Sequence, residues 1–308
     1  MIKKFVLTTI LVVSTLNLVA RTYELTSPDG MNVISVNYDK YGLTYSLAYD
    51  GEKQFVSTPV SMCVENKVWG APGDYLRKVI RSSFDSPIVF PVARKYKESV
   101  ERYNSMRLVF GDYDVEFRAY NDGVAYRFIG KVNKSGKVMS ESSGYRFDKD
   151  YEAYVLLTKG LQCWYEEDYT VAKLSELPVD GISLTPLMVT TGNARLLLSE
   201  SDLHNYSGSY LKAVEGGFDF LFAAYPAAQE LRENGSKRLV TEREDFIVES
   251  NLNRSFPWRV AGVFPLGNDA AILNSELIYL LGERTTDDFS WVKPGKLLWD
   301  WWNCNNIP

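Results

Sequence analysis

Two carboxylates stand where a predicted strand passes into a loop. The apolar run Leu196–Leu198 predicts a short strand, Glu200 follows it, and Asp202 comes two residues later. Such groups suit Ca²⁺, which binds about six to eight hard oxygen ligands in proteins. Two carboxylates are too few for a complete site, so further ligands must come from elsewhere. Residue types alone favour the other interpretation, a solvated acidic loop, because exposed loops commonly carry Asp and Glu.

Aromatic rings and acids alternate in a second cluster, which covers residues 164–169. Sugars stack on aromatic rings while carboxylates accept hydrogen bonds from their hydroxyls, so this composition suits a carbohydrate. The alternative is that Trp164 and Tyr169 belong to the core and that the three acids between them face water. The same two interpretations apply to three tryptophans near the C-terminus: Trp299, Trp301 and Trp302.

The histidine and cysteine content excludes most other chemistry. His204 is the one histidine of the sequence, which excludes Ser-His-Asp triads and metal sites built on several histidines. Cys63, Cys163 and Cys304 have no short CxxC spacing, so the sequence predicts neither a zinc site nor a redox motif. The sequence leaves undecided whether Cys63 and Cys163 form a disulfide, although a buried free cysteine is the commoner state.

The elements that must position these residues are predicted to be strands. From about Tyr23 to about Tyr279 the chain is a succession of short apolar or alternating runs separated by turn residues. The clearest runs form a meander of two hairpins: Met106–Phe110, Val115–Ala119 and Val124–Ile129. Further strands are predicted at Val33–Tyr38, Leu43–Tyr49, Phe218–Ala224 and Arg259–Phe264. With no linker in the middle, we predict one all-β sandwich of about 260 residues.

Composition and charge exclude several classes of protein. With 45% hydrophobic and 24% charged residues, the chain is neither disordered nor collagen-like nor a coiled coil. The formal net charge of −5 leaves no basic field for a phosphate backbone, so we expect no nucleic-acid partner.

The N-terminus indicates export. Lys3 and Lys4 precede the apolar run Phe5–Val13, and the small residue Ala20 closes the segment, which is the pattern of a signal peptide over residues 1–20. A membrane anchor is the alternative, but the run is short for a hydrocarbon core of about 30 Å. We therefore expect an exported, periplasmic bacterial protein without a membrane span in its mature chain.

Several stretches together resemble glycoside hydrolase family 97, a family of exported α-glucoside and α-galactoside hydrolases. They occur in the family's order along nearly the whole mature chain. The stretches are Ser27–Gly30, Phe117–Phe128, Leu198–Leu203, Pro257–Val260, Ser290–Lys296 and Trp299–Asn303.

The resemblance implies an architecture. Members of the family have an N-terminal β-supersandwich of the galactose-mutarotase type, a central (β/α)₈ barrel and a C-terminal β-sandwich. By this likeness, residues 23–283 are the supersandwich domain, and residues 284–308 are a linker and the first strand of a barrel that is truncated here. The family's catalytic carboxylates lie in the barrel, so we expect no catalytic residue in this chain and no hydrolysis by the chain alone.

The resemblance also implies a role for one residue. The family's supersandwich supplies a glutamate to a Ca²⁺ ion beside the substrate, and by motif match this residue is Glu200. Asp202 has no such match. We therefore expect the N-terminal domain of a Ca²⁺-dependent α-glycoside hydrolase, which packs on the catalytic barrel and contributes to the pocket for an oligosaccharide or α-glycoside. Two alternatives are a stand-alone carbohydrate-binding module and an inert product that aggregates through its exposed C-terminal tryptophans.

Overall fold

The structure is a computed structural model that describes residues 21–92, 95–163, 165–231, 238–284, 287–293 and 295–297. Three of the sequence predictions fall elsewhere. The signal peptide (1–20), Trp164, and the barrel strand with Trp299, Trp301, Trp302 and Cys304 lie outside the described residues.

Strands dominate the described residues, as predicted. They are β1 (Arg21–Thr26), β2 (Asn32–Asp39), β3 (Gly42–Tyr49), β4 (Glu52–Pro59), β5 (Ser61–Val64), β6 (Lys67–Trp69), β7 (Lys78–Val89), β8 (Glu98–Val109), β9 (Tyr113–Tyr120), β10 (Gly123–Gly130), β11 (Ser135–Ser142), β12 (Gly144–Arg146), β13 (Glu152–Val155), β14 (Leu157–Thr158), β15 (Thr170–Lys173), β16 (Ile182–Leu184), β17 (Leu187–Thr190), β18 (Ala194–Ser201), β19 (Ser209–Val214), β20 (Gly217–Phe222), β21 (Pro226–Leu231), β22 (Arg238–Arg243), β23 (Val248–Asn251) and β24 (Trp258–Pro265). The helices are a 3₁₀ turn (Leu174–Glu176), α1 (Asp269–Asn274) and α2 (Leu277–Leu281).

The strands form two large sheets and two small ones. The first sheet has nine strands in the order β1-β2-β3-β4-β12-β20-β19-β16-β14, and the second has nine in the order β15-β13-β17-β18-β24-β10-β9-β8-β7. A third sheet has the order β23-β11-β5-β6, and β21 pairs with β22. The predicted meander is confirmed as β8-β9-β10, with Gly123 opposite Tyr120 across the second hairpin.

One hydrophobic core lies between the facing surfaces of the two large sheets. Val36 and Phe55 of the first sheet and Phe117, Leu196 and Leu198 of the second are fully buried in it. Side chains alternate between the two faces of a strand, so each of these strands contributes every second residue to this core. The all-β sandwich predicted from the sequence is confirmed.

The second sheet is covered on its other face as well. Trp258 and Tyr120 point away from the main core and pack with Leu277, Leu280 and Leu281 of α2. Glu116 of β9 lies on this same outer face and is only 4% exposed. The alternating acids and apolar residues of β9 are typical of a half-solvated strand, but here α2 packs on Tyr120 and the side chains of Arg118 and Arg127 pair with Glu116.

Two further expectations can be compared with the structure. Cys63 and Cys163 are free thiols, so they do not form the disulfide that the sequence left open. Among the residues described, no helix is long and apolar enough to cross a membrane.

Candidate functional site

Glu200 lies at the end of β18 and points between the sheets. It shares a strand face with the core residues Leu196 and Leu198, and its partner across the antiparallel ladder is Arg259 of β24. The predicted position at a strand end is thus correct to within one residue. Its side chain is 12% exposed, so the solvated-loop interpretation of Glu200 is wrong.

A buried guanidinium links Glu200 to a second carboxylate. Arg259 Nη1 donates to Glu200 Oε2 at 2.7 Å, and its Nε and Nη2 donate to Glu141 Oε1 and Oε2 at 2.7 and 2.6 Å. The side chains of Arg259 and Glu141 are 1% and 2% exposed. Burial by itself would lower the pKa of Arg259, but Glu141 and Glu200 outweigh burial and hold that pKa above its ordinary value. We call Glu141, Glu200, Arg259 and Tyr206 the Arg259 node.

The remaining contacts of the node fix its members. Tyr206 donates its hydroxyl to Glu141 Oε2 at 3.0 Å, and burial, reinforced by Glu141, raises the pKa of Tyr206 well above its ordinary range. The backbone N–H of Ser209 donates to Glu200 Oε1 at 2.9 Å. Two carboxylates therefore share one buried guanidinium in this node.

Glu200 fits Ca²⁺ as one ligand of several. A carboxylate has about four acceptor sites, and the contacts with Arg259 and Ser209 occupy one on each oxygen. The donor is a hard, anionic oxygen, which is the type that Ca²⁺ prefers. Glu200 is the accessible carboxylate of the node, because the side chain of Glu141 is only 2% exposed.

Asp202 belongs to a different environment. Its φ is +61°, and its Oδ1 accepts from the backbone N–H of Glu283 at 2.9 Å and lies 3.2 Å from Nε2 of His204. Asp202, His204 and Glu283 hold possible ligand atoms within 4.8 Å of one another. The Nη1 of Arg127 lies 3.8 Å from Asp202 Oδ2 and reduces the attraction of this group for a cation. Glu200 is not a member of this group of described residues, so Asp202 and Glu200 are not ligands of one such cluster.

A cleft of about 1410 Å³ opens on the outer face of the second sheet. Its floor carries Arg118 and Arg127, which both pair with the buried carboxylate of Glu116 and lie over the ring of Trp258. Tyr206 and Ser207 line the same cleft, and Ser209, which bonds Glu200, follows them in the chain. Glu200 itself does not line the cleft; Tyr206 is the member of the Arg259 node that does, and it connects the node to the cleft through its bond to Glu141.

The chain passes the rim of this cleft as it leaves the sandwich. Glu283 and Arg284, which follow α2, line the cleft, and Arg284 forms an ion pair with Glu101 of β8. The segment after α2 is thus attached at the cleft by Asp202 and Glu101.

The acidic and aromatic cluster at residues 165–169 is a surface loop. Tyr165 and Tyr169 are 38% and 50% exposed, so the interpretation that placed Tyr169 in the core is wrong. Their hydroxyls contact Tyr210 and the carbonyl of Pro186. Leu161 lines the cleft and its carbonyl accepts from the Tyr165 hydroxyl at 3.0 Å, so Tyr165 lies near the rim of the cleft.

The sequence alone missed the partners of Glu200. Nothing in the sequence around Glu141 marked it as a partner of Glu200, because it is a single acid on a strand. Arg259 lies in the stretch Pro257–Val260, which carries part of the family resemblance. A charged residue inside the apolar run Trp258–Phe264 also indicates that a buried residue of opposite charge lies beside it. The pairing of these residues depends on the order of the strands, which was not available from the sequence.

Comparison with known proteins agrees with this architecture. A family model described as "Glycosyl-hydrolase 97 N-terminal" matches residues 25–283. The chain is 37% identical over 322 aligned positions to a retaining alpha-galactosidase of Bacteroides thetaiotaomicron, a match that covers 99% of this chain and 48% of that protein. The chain thus spans about half the length of this curated relative.

Solved structures show the same fold at lower sequence identity. A glycoside hydrolase family 97 enzyme from Pseudoalteromonas sp. strain K8, in complex with acarbose, has a TM-score of 0.75 at 19% identity and matches 91% of this chain and 41% of its own. A beta-arabinopyranosidase has a TM-score of 0.62 at 21% identity, over 78% of this chain and 40% of its own. Taken with the family model and the curated relative, these likenesses show that the chain belongs to glycoside hydrolase family 97, as an N-terminal domain of that family.

Proposed function

We propose that this chain acts as the N-terminal domain of an exported, Ca²⁺-dependent α-glycoside hydrolase, packs on a catalytic barrel, walls one side of the carbohydrate pocket and supplies Glu200 to the metal. One observation carries the proposal: a carboxylate with spare acceptor sites is held at the end of β18 by a buried arginine and a backbone amide, in one cluster with Tyr206, which lines a large cleft. The curated relative, a retaining alpha-galactosidase, makes α-galactosides the first substrates to test.

The cleft is the surface that we assign to the barrel. It lies where Glu283 and Arg284 lead the chain away from α2, and this is where the proposed barrel domain would begin. Its floor combines the guanidiniums of Arg118 and Arg127 with the ring of Tyr103, and large partly polar surfaces of this kind are typical of contacts between domains.

The residues of the node have distinct roles in this proposal. Glu200 offers its oxygen to the metal, while Arg259 and the Ser209 amide keep the carboxylate in one orientation. Ca²⁺, when bound, would supply Lewis-acid or templating help at the scissile oxygen. The acid and the base or nucleophile of hydrolysis are contributed by the barrel, because glycoside hydrolysis needs two carboxylates across the scissile bond.

The test joins the whole 308-residue chain, after Pro308, to the half of the Bacteroides thetaiotaomicron relative that it does not cover. Ca²⁺ binding is measured by calorimetry on metal-stripped protein, and hydrolysis with a chromogenic α-galactoside. We expect E200Q to raise the Kd for Ca²⁺ at least about tenfold and to lower activity with it. E215Q is the matched control, because Glu215 is exposed on the β19–β20 turn, and should change neither value. Unchanged Ca²⁺ binding in E200Q would contradict the proposal.

A second candidate is a stand-alone carbohydrate-binding module. The exposed rings of Tyr165 and Tyr169 favour it, because sugar faces stack on such rings. Calorimetric titration of the 308-residue chain with maltooligosaccharides and α-galactosides tests this candidate. Binding that Y165A and Y169A abolish would support it, and no heat of binding at millimolar sugar would exclude it.

Export is part of the proposal and has its own test. Cleavage after Ala20 would give a mature chain beginning at Arg21, which is the first residue of β1. N-terminal sequencing of the periplasmic fraction should give Arg-Thr-Tyr-Glu. A protein that stays in the cytoplasm with its first 20 residues intact would contradict export.

A further inference from the structure

The Arg259 node joins three sheets at one point. Arg259 belongs to β24 and Glu200 to β18 of the second sheet, and Glu141 belongs to β11 of the third. The rings of Phe220 and Phe222, on β20 of the first sheet, lie 5.4 and 4.8 Å from the guanidinium carbon. The guanidinium is therefore held from several directions.

The bonding pattern gives the two carboxylates different roles. Glu141 takes two donors of Arg259, with both of its oxygens, in the fork geometry that fixes the guanidinium plane. Glu200 takes the third donor with a single oxygen. Glu141 thus holds Arg259, and Arg259 in turn holds Glu200, while acceptor sites on Glu200 stay open.

We propose that Arg259, itself fixed by Glu141 and Tyr206, is the positioning residue of Glu200 and sets the direction in which this carboxylate faces its cation. The inference rests on the proposed function of Glu200, and it adds three residues to that site. Lysine cannot replace arginine here, because a single ammonium lacks the planar fork that engages two carboxylates in fixed directions.

A positioning role of Arg259 can be distinguished by experiment from an ion pair that only stabilises the fold. A purely structural pair lowers the free energy of unfolding when it is removed but leaves the geometry of Glu200 in the folded molecule unchanged. The Ser209 amide reports on that geometry, since it donates directly to Glu200 Oε1. Its exchange rate and chemical shift are measurable on the 308-residue chain without metal.

The experiment compares E141Q, Y206F and R259K with the parent chain by residue-resolved amide exchange in NMR. We expect E141Q and R259K to speed exchange at Ser209 about tenfold, since a hydrogen bond to a charged acceptor is lost, and to shift the Glu200 carboxylate carbon resonance. Y206F removes one hydroxyl and should give a smaller change in the same direction. R127K is the matched control, because Arg127 pairs with Glu116 in the neighbouring strand and does not bond Glu200.

The outcomes separate the two proposals. Unchanged Ser209 exchange and an unchanged Glu200 resonance in folded E141Q and Y206F would overturn the positioning role, even if R259K fails to fold. If E200Q leaves Ca²⁺ affinity intact while the node variants alter Ser209, the metal assignment fails and the positioning of Glu200 stands. If E200Q weakens Ca²⁺ binding in the joined protein, E141Q should weaken it too.

Discussion

Glu116 shows how a buried carboxylate can be kept ionised on the outer face of the second sheet. Its Oε1 accepts from Arg118 Nε at 3.1 Å, and its Oε2 accepts from Arg127 Nε at 3.0 Å. Burial alone would raise the pKa of Glu116, but the two guanidiniums outweigh burial and hold the pKa below its ordinary value.

The lowered pKa of Glu116 predicts that the free energy of unfolding depends on pH. A lowered carboxyl pKa contributes stability that is complete above the unfolded-state value, about 4.3, and is lost as the pH falls through the folded-state value. E116Q should therefore cost about 3 kcal/mol at pH 7, and the difference from the parent chain should shrink below about pH 4. Urea unfolding between pH 7 and pH 3 measures it. E215Q serves as the control, and a difference that stays constant with pH would refute the argument.

Single residues were only partly predictable from the sequence. Glu200 was identified because it follows an apolar run and matches a motif. Glu141 was not, because its contact with Arg259 spans 118 positions of sequence. Asp202 was grouped with Glu200 by proximity in the chain, yet the positive φ at Asp202 turns it toward His204 and Glu283.

At the level of elements, β18 provides a direct test of strand alternation. Leu198 is fully buried in the main core, whereas Leu197 faces the other way and is half-buried. L198A should lower the free energy of unfolding by about 2–5 kcal/mol, since it leaves a cavity. L197A, the same change on the opposite face, should cost clearly less. Urea denaturation of both variants measures the two losses in free energy of unfolding. Equal losses would mean that the buried and outer faces of β18 are assigned wrongly.

The backbones of β12 and β20 approach closely at Gly217, and a second prediction at the level of elements follows from this contact. A Cβ added at Gly217 of β20 would lie 2.0 Å from the carbonyl oxygen of Tyr145 in β12, so the two strands would have to separate. We expect G217A to cost about 1–3 kcal/mol, as overpacking does. G295A is the control, because no atom lies within 4 Å of its added Cβ. A thermal midpoint of G217A equal to that of the parent chain would show that β12 and β20 adjust freely.

The strands themselves were more predictable from the sequence than their order in the sheets. Hairpins such as β9–β10 follow from turn residues between alternating runs, and such local signals need no tertiary information. The placement of β24 between β18 and β10 joins segments far apart in sequence, and periodicity carries no information on such neighbours. The Arg259 node depends on that placement, which is why sequence reasoning reached its members only singly.

For the whole molecule, the shared core predicts cooperative unfolding. Both large sheets contribute to one buried cluster, so neither sheet retains a core when the other is lost. We expect a single calorimetric transition whose measured enthalpy equals the van't Hoff enthalpy, although the domain is larger than most two-state proteins. Two resolved transitions would show that the sheets are independent units.

The placement of β24 also bears on how the polypeptide is made. This strand is the last of the domain along the chain, yet it fills the middle of the second sheet. While a ribosome is still producing it, β18 and β10 both present open edges, a state prone to wrong pairing. At about 5–20 residues per second, the 64 residues between the end of β18 at Ser201 and the end of β24 at Pro265 take roughly 3–13 seconds. A nascent chain of this kind gains its sheet only after some 265 residues have emerged, so shielding by a chaperone is of most use before that moment.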